Sequence, residues 1–172
     1  MTDFQELAAA RCSIRSYDTG RTIPDELLLR VLDAGRLAPS AKNLQPWKFH
    51  VVRSPEMLAK VQATYSRDWL KSAPCLLVVS GKREQAWVRS LDGYNSLETD
   101  LAIVMDHIIL AATAQGLGTC WIAAFDPVAL NEALGLGPDD EVFAFTPLGY
   151  AAPGAITVPK NRRPLDTMTE FL

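Results

Sequence analysis

Apolar residues recur along this chain in two rhythms. The helical rhythm is clearest at 97–115, where Leu101, Val104, Met105, Ile108, Ile109 and Ala112 follow a 3.6-residue period and Gly116 supplies a stop. The apolar surface is wide, so this helix is predicted to lie centrally. A second helix is marked by Leu27, Leu28, Val31 and Leu32, with Pro24 at its first turn and Asp25 and Glu26 at the positive end of its dipole; it should end before Pro39. Shorter helices are predicted near 3–11, with Phe4, Leu7 and Ala8 on one side, and at 55–63 and 127–134. Strands are predicted at 47–52, 74–79, 119–124 and 142–150. The run Cys75-Leu76-Leu77-Val78-Val79 is apolar without alternation, as in a strand covered on both faces. Residues 81–95 read as a mobile, polar connection.

The last stretch, AAPGAITVPKNRRPLDTMTEFL, has three prolines and little periodicity, yet it ends in Met168, Phe171 and Leu172. Apolar groups there favour an extended arm laid on a surface, either of its own domain or of a second subunit, over a free tail. No internal repeat or shift in composition divides the chain, so 1–172 reads as one domain with 151–172 as its arm.

Composition narrows the function classes. The chain has 172 residues, 48% apolar and 22% charged, enough for a sizeable core without disulfides or metal. The net charge of −3 gives no support for nucleic-acid binding. Cys12, Cys75 and Cys120 are odd in number and widely spaced, and only His50 and His107 could add imidazoles, so zinc and dithiol motifs fail. Free thiols point to a reducing compartment. The N-terminus does not resemble a secretory signal, and the most apolar long stretch, 101–114, is broken by Asp106 and His107 and is too short to span a bilayer. A cytoplasmic protein without membrane or nucleic-acid partners is expected.

Two basic clusters carry the candidate chemistry. In Arg11-Cys12-Ser13-Ile14-Arg15-Ser16, an extended backbone would point Arg11, Ser13 and Arg15 to one face. Permanently charged planar donors beside a hydroxyl suit a phosphate or another anion. Taken alone, the segment reads as an ordinary solvated basic edge. The second cluster, Lys160-Asn161-Arg162-Arg163, lies more than a hundred residues later; the pair makes a shared anion site a sharper expectation. The glycines of Gln115-Gly116-Leu117-Gly118 follow a helix and enter a strand, the reverse of a dinucleotide fingerprint. There is no nucleophile elbow or phosphate-binding P-loop. Both histidines read as structural, so any demanding chemistry is expected from a bound cofactor.

Five stretches, RCSIRSYD, LAPSAKNLQPWKFHVV, LAATAQGLGTCWIAAFD, FTPLGYAA and PKNRRPLD, together resemble the nitroreductase family of flavin enzymes, in the family's order and over nearly the whole chain. The resemblance implies an α+β fold with a mixed central sheet flanked by helices. It implies a homodimer in which each C-terminal arm reaches across its partner, with FMN at the interface. Arg11 and Ser13 match positions on the phosphate and ribityl side of FMN, and Cys12 would contribute only its backbone. Arg15 matches the cation at the flavin pyrimidine edge. Lys160 and Arg162 match the phosphate clamp, with Arg163 a neighbour. Pro39, Ser40, Asn43 and Gln45 match a loop bordering the flavin, part of it supplied by the other subunit. Ile122, Ala123 and Ala124 match the segment beside the isoalloxazine, although many relatives carry Glu-Gly or Gly-Gly in place of Ala123-Ala124.

The implied reaction is ping-pong. NADH or NADPH reduces FMN and leaves, and a small acceptor such as a nitroaromatic or quinone then takes the electrons. The same resemblance leaves open reductive dehalogenation, flavin destruction or azoline dehydrogenation, and a flavin-binding protein without turnover. Tyr65, Trp69, Trp87 and Tyr94 are candidates to cap a flavin or to pack in a core or dimer contact.

Overall fold

The computed structural model describes residues 3–172. Its elements are α1 (Phe4–Ala10), α2 (Asp25–Arg36), β1 (Trp47–Val52), α3 (Pro55–Gln62), β2 (Cys75–Lys82), α4 (Leu97–Ala114), α5 (Pro127–Leu134) and β3 (Asp140–Leu148). The three strands form one sheet in the order β1-β2-β3, with both pairings antiparallel. The architecture is α+β, as expected.

Strand β2 is central and divides the core. Cys75, Leu77 and Val79 face one apolar cluster with α2 and α4, while Leu76 and Val78 face another that contains Val61 of α3, Leu130 of α5 and Phe145 of β3. The unbroken apolar run is therefore covered on both faces. Helix α4 packs its face of Leu97, Leu101, Val104, Met105 and Ile108 into the first cluster, each at most 1% exposed. At about 1.5–3 kcal/mol for each fully buried large aliphatic side chain, this helix is the main apolar anchor of that layer.

Two glycines let the elements approach. A Cβ on Gly35 of α2 would stand 2.8 Å from Ile108 Cγ1 and 3.0 Å from Phe49 Cζ, so its absence lets α2, α4 and β1 meet. A Cβ on Gly81 would stand 2.2 Å from the Pro46 carbonyl oxygen and 2.8 Å from Leu97 Cδ1. Gly81 pairs with Trp47, so the loop entering β1 lies directly against the end of β2.

Three expectations change. The 119–124 segment forms isolated bridges instead of a strand: Ser13 with Thr119 in parallel, and Ile122 with Phe145 antiparallel. The Cys120 N–H donates to the Thr146 hydroxyl at 3.1 Å instead of to a backbone carbonyl, which interrupts the ladder. The expected mixed sheet is accordingly antiparallel in its regular part, and among the described residues only the Ser13–Thr119 bridge is parallel. Residues 81–95 are not an open connection. Gly81 and Lys82 continue β2, and 88–95 closes as a hairpin through the Val88–Asn95 bridge and the Arg89 N–H bond to the Tyr94 carbonyl. Its charges pair locally, Arg89 with Asp92 at 2.6 and 2.8 Å. Arg83 joins Glu141 and Glu98, and its hydrogen bond holds the Glu141 carboxyl below the usual carboxylate range.

The arm leaves the body after β3, with Ile156 88% and Phe171 96% exposed. Its apolar end is not buried against its own domain.

Gly81→Ala is expected to lower stability by about 1–3 kcal/mol, because the new methyl cannot coexist with the Pro46 carbonyl without a backbone shift. Urea denaturation would measure this, and an unchanged midpoint would show that the loop entrance yields freely.

Candidate functional site

The N-terminal basic segment begins where α1 ends. Asp3 caps that helix by accepting the Gln5 and Glu6 N–H groups at 2.8 and 3.0 Å, and Arg11 is its C-terminal cap. The chain then runs extended. The Ile14 N–H donates to the Thr119 carbonyl at 2.8 Å, the Ile14 side chain is buried, and the Tyr17 hydroxyl donates to the Ile14 carbonyl at 2.7 Å. With Ile14 turned inward, Ser13 and Arg15 take the opposite face, as the alternation predicts.

Arg11, Cys12, Ser13 and Arg15 form one wall of a cavity of about 270 Å³, and Val158, Pro159, Lys160 and Arg162 form the other. The two basic clusters thus meet, while Arg163 is not part of the lining. Four cationic side chains and a hydroxyl converge there with no carboxylate among the lining residues. Lys160 donates to the carbonyls of Ala8, and of Ala9 at 2.7 Å, capping the negative end of α1. Desolvation, followed by the charges of Arg11 and Arg162, pushes the Lys160 ammonium below its ordinary value. An anion in the cavity would relieve that crowding, and this donor set fits the phosphate of a phosphate-bearing cofactor such as FMN. Arg15 also lines an adjoining cavity of about 340 Å³ with Ser16, Pro153, Gly154, Ala155 and Ile156.

The second half is the loop from Pro39 to Pro46. Lys42, Asn43 and Gln45 have φ of 50°, 56° and 51°, the left-handed conformation that side chains disfavour. Among the described residues, these are the only non-glycine residues with positive φ. The loop braces itself: the Gln45 N–H donates to the Ser40 hydroxyl at 3.0 Å, and the Gln45 side-chain amide donates to the carbonyl and side-chain oxygens of Asn43, both at 3.1 Å. Pro39, Asn43 and Gln45 are exposed and Ser40 is half-buried. The Ser40 hydroxyl proton and the Gln45 side-chain oxygen remain available to a ligand.

The loop does not line the cationic cavity. The Ala41 N–H bonds to Asp100 in the first turn of α4, whereas Ser13 bridges Thr119 just beyond the helix's last turn. The 18 residues of α4 span about 27 Å. The loop and the cationic cavity therefore sit near opposite ends of this helix.

The 122–124 segment is split as well. The Ile122 side chain is buried with Phe145, and its N–H and C=O are both used in their bridge. The Ile122 side chain therefore belongs to the core. Ala123 and Ala124 are exposed, and among the described residues their N–H groups have no partner.

Other candidates resolve as structural. His50 Nε2 lies 2.8 Å from Ser80 Oγ, and burial, followed by the Lys48 charge, lowers its pKa. His107 Nδ1 bonds the Ile103 carbonyl at 2.9 Å. Burial pushes the Cys75 thiol up to about 11. Tyr65 and Trp69 pack edge to face beside the second core cluster, and the Tyr94 hydroxyl bonds that of Thr99. Sequence reasoning missed Val158, an ordinary arm residue without a local signal, just before the PKNRRPLD motif. It also missed Asp100, whose signal was present: a carboxylate on the apolar face of the longest helix.

The sequence profile of the nitroreductase family matches residues 8–64 and 56–150. A protein of Archaeoglobus fulgidus, named as a candidate NADH dehydrogenase/NAD(P)H nitroreductase, is 34% identical over 87% of this chain and 86% of its own length. The crystal structure of a nitroreductase family protein from Clostridium difficile superposes with a TM-score of 0.84 at 30% identity, covering 99% of this chain and 98% of that one. A candidate nitroreductase from Exiguobacterium sibiricum, crystallised in complex with FMN, shares the fold with a TM-score of 0.88 at 23% identity, covering 100% and 98%.

Arg162→Ala is expected to weaken FMN retention roughly tenfold or more, since a charge-assisted hydrogen bond contributes about 1.5–3 kcal/mol. Fluorescence titration with FMN would read this, and an unaltered affinity would remove Arg162 from the binding cavity.

Proposed function

The chain belongs to the nitroreductase family, and on that premise we propose that it is an FMN-dependent oxidoreductase, taking electrons from NADH or NADPH and delivering them to a small organic acceptor such as a nitroaromatic or quinone. The observation that carries this reading is the convergence of Arg11, Ser13 and Arg15 with Lys160 and Arg162 around one cavity. When bound, FMN supplies the redox chemistry, accepting hydride from the nicotinamide and passing electrons onward by a ping-pong sequence.

The chain's own residues bind and tune. Arg11, Ser13 and Arg162 hold the phosphate side, and Lys160 adds charge there while fixing the arm to α1. Arg15, common to both cavities, places a permanent positive charge where negative charge gained on reduction would be stabilised. The free N–H groups of Ala123 and Ala124 are the donors offered by their segment; the Cβ atoms there leave that role to the backbone.

The active unit is a homodimer. One chain keeps the cationic cavity and the loop of Ser40, Asn43 and Gln45 near opposite ends of α4, so a second copy supplies the missing half of each site. The exposed apolar arm has a matching surface: β1 is a sheet edge, and beside it Leu29, Leu32, Trp47, Phe49 and Val51 line a groove of about 600 Å³. Arm exchange would cover both. No helix among the described residues is long and apolar enough to cross a membrane, and the free cysteines suit the reducing cytoplasm.

Purified protein is expected to be yellow, and anaerobic NADH or NADPH should bleach it. Protein that stays colourless after reconstitution with FMN refutes the reading; bound FMN that neither nucleotide reduces moves the chain to a different chemistry on the same fold. Arg15→Ala should retain FMN but show a lower reduction potential in a dye-equilibration titration, and an unchanged potential in the folded variant would dismiss Arg15 as the tuning charge.

A further inference from the structure

Asp100 is 2% exposed, on the face of α4 that carries Leu97, Leu101 and Val104. A carboxylate there is costly unless its oxygens are satisfied. Among the described residues no lysine or arginine forms an ion pair with it. Its compensation is local: Oδ1 accepts the Ala41 N–H at 2.9 Å, Oδ2 accepts the Ser96 hydroxyl at 2.8 Å, and its place in the first turn of α4 puts it at the positive end of the helix dipole.

The bond to Ala41 reaches a particular place. Ala41 directly precedes the left-handed residues Lys42 and Asn43, with Gln45 following. The remaining hydrogen bonds within 40–45 close the loop on itself: Asn43 N–H to the Ser40 carbonyl, Leu44 N–H to the Ala41 carbonyl, Gln45 N–H to the Ser40 hydroxyl, and the Gln45 side-chain amide to both oxygens of Asn43. Among the described residues, the Asp100–Ala41 bond is the one hydrogen bond from this loop to a distant element. Three disfavoured backbone conformations persist only when the surroundings over-determine them. The Ser96 N–H in turn donates to the Trp87 carbonyl at 2.9 Å, so the same first turn also holds the base of the 88–95 hairpin.

We propose that Asp100 is a positioning residue: its buried carboxylate holds the strained 40–45 loop in the geometry that presents Ser40, Asn43 and Gln45 to the cofactor. The inference rests on the FMN reading above. Preorganisation of this kind slows ligand release without any contact between Asp100 and the ligand.

The test compares wild type, Asp100→Asn, Asp100→Ala and Ser96→Ala. Two readouts are taken: amide hydrogen exchange of residues 40–45 in FMN-free protein, and the rate of FMN release followed by flavin fluorescence. Asp100→Asn keeps an oxygen for the Ala41 N–H and a donor for Ser96 Oγ but loses the charge, and is expected to fall between wild type and Asp100→Ala in both. Asp100→Ala should expose the 40–45 amides to exchange and release FMN about tenfold faster, the effect of one lost charge-assisted hydrogen bond. Should Asp100→Ala fail to fold, Ser96→Ala, which leaves the carboxylate on Ala41 alone, carries the comparison with a several-fold faster exchange and release. Unchanged exchange and release in Ser96→Ala and in any folded Asp100→Ala overturn the proposal, whatever happens to the melting temperature. Faster exchange in apo-protein with unchanged FMN release leaves Asp100 as a fold residue and also overturns it. A wild-type chain that takes up no FMN defeats the cofactor reading and this inference together, and is recognised before any variant is made.

Discussion

The burial of α4 is the constraint on which the site depends. Its apolar side chains are sealed between α2 and the sheet, with Leu97, Val104, Met105 and Ile108 fully inaccessible. A helix packed this tightly cannot bend or slide without opening cavities. Its two ends are therefore fixed points. The first turn bonds the strained loop through Asp100, and Thr119, five residues past the last turn, bridges the basic segment at Ser13. Separation of the loop from the cationic cavity follows from helix length.

The cationic cavity shows the opposite logic. Its members come from the two ends of the chain, and nothing in either segment's local pattern requires them to meet. What joins them is an unsatisfied helix terminus: the last carbonyls of α1 need donors, and Lys160 provides them. The cost is desolvation of Lys160 and then crowding of like charge with Arg11 and Arg162, which together lower the lysine pKa. Such crowding is tolerable on an exposed surface and becomes useful when a dianion occupies the space.

Much of the fold was legible because its signals are local. The stripe from Leu101 to Ala112, the unbroken Leu76–Val79 run, and the 127–134 helix each belong to one segment, and each appears where local pattern places it. The failures were non-local. The 119–124 segment has strand composition, but Thr146 takes the Cys120 N–H with its side chain and leaves only bridges. The polar 81–95 stretch read as loose, yet Arg83 reaches across to Glu98 and Glu141, and 88–95 closes as a hairpin.

By itself, the sequence determined the helices and the three paired strands, the division of the core by β2, and which residue types could hold an anion, because periodicity and side-chain chemistry act over a few residues. Only the tertiary structure decided that Arg11, Ser13 and Arg15 share a cavity with Lys160 and Arg162, that the Ser40–Gln45 loop stands at the far end of α4, and that a buried aspartate holds it there. Those outcomes are contacts between segments from 59 to more than a hundred residues apart. They are set by packing and by the need to satisfy buried polar groups, which no local pattern records.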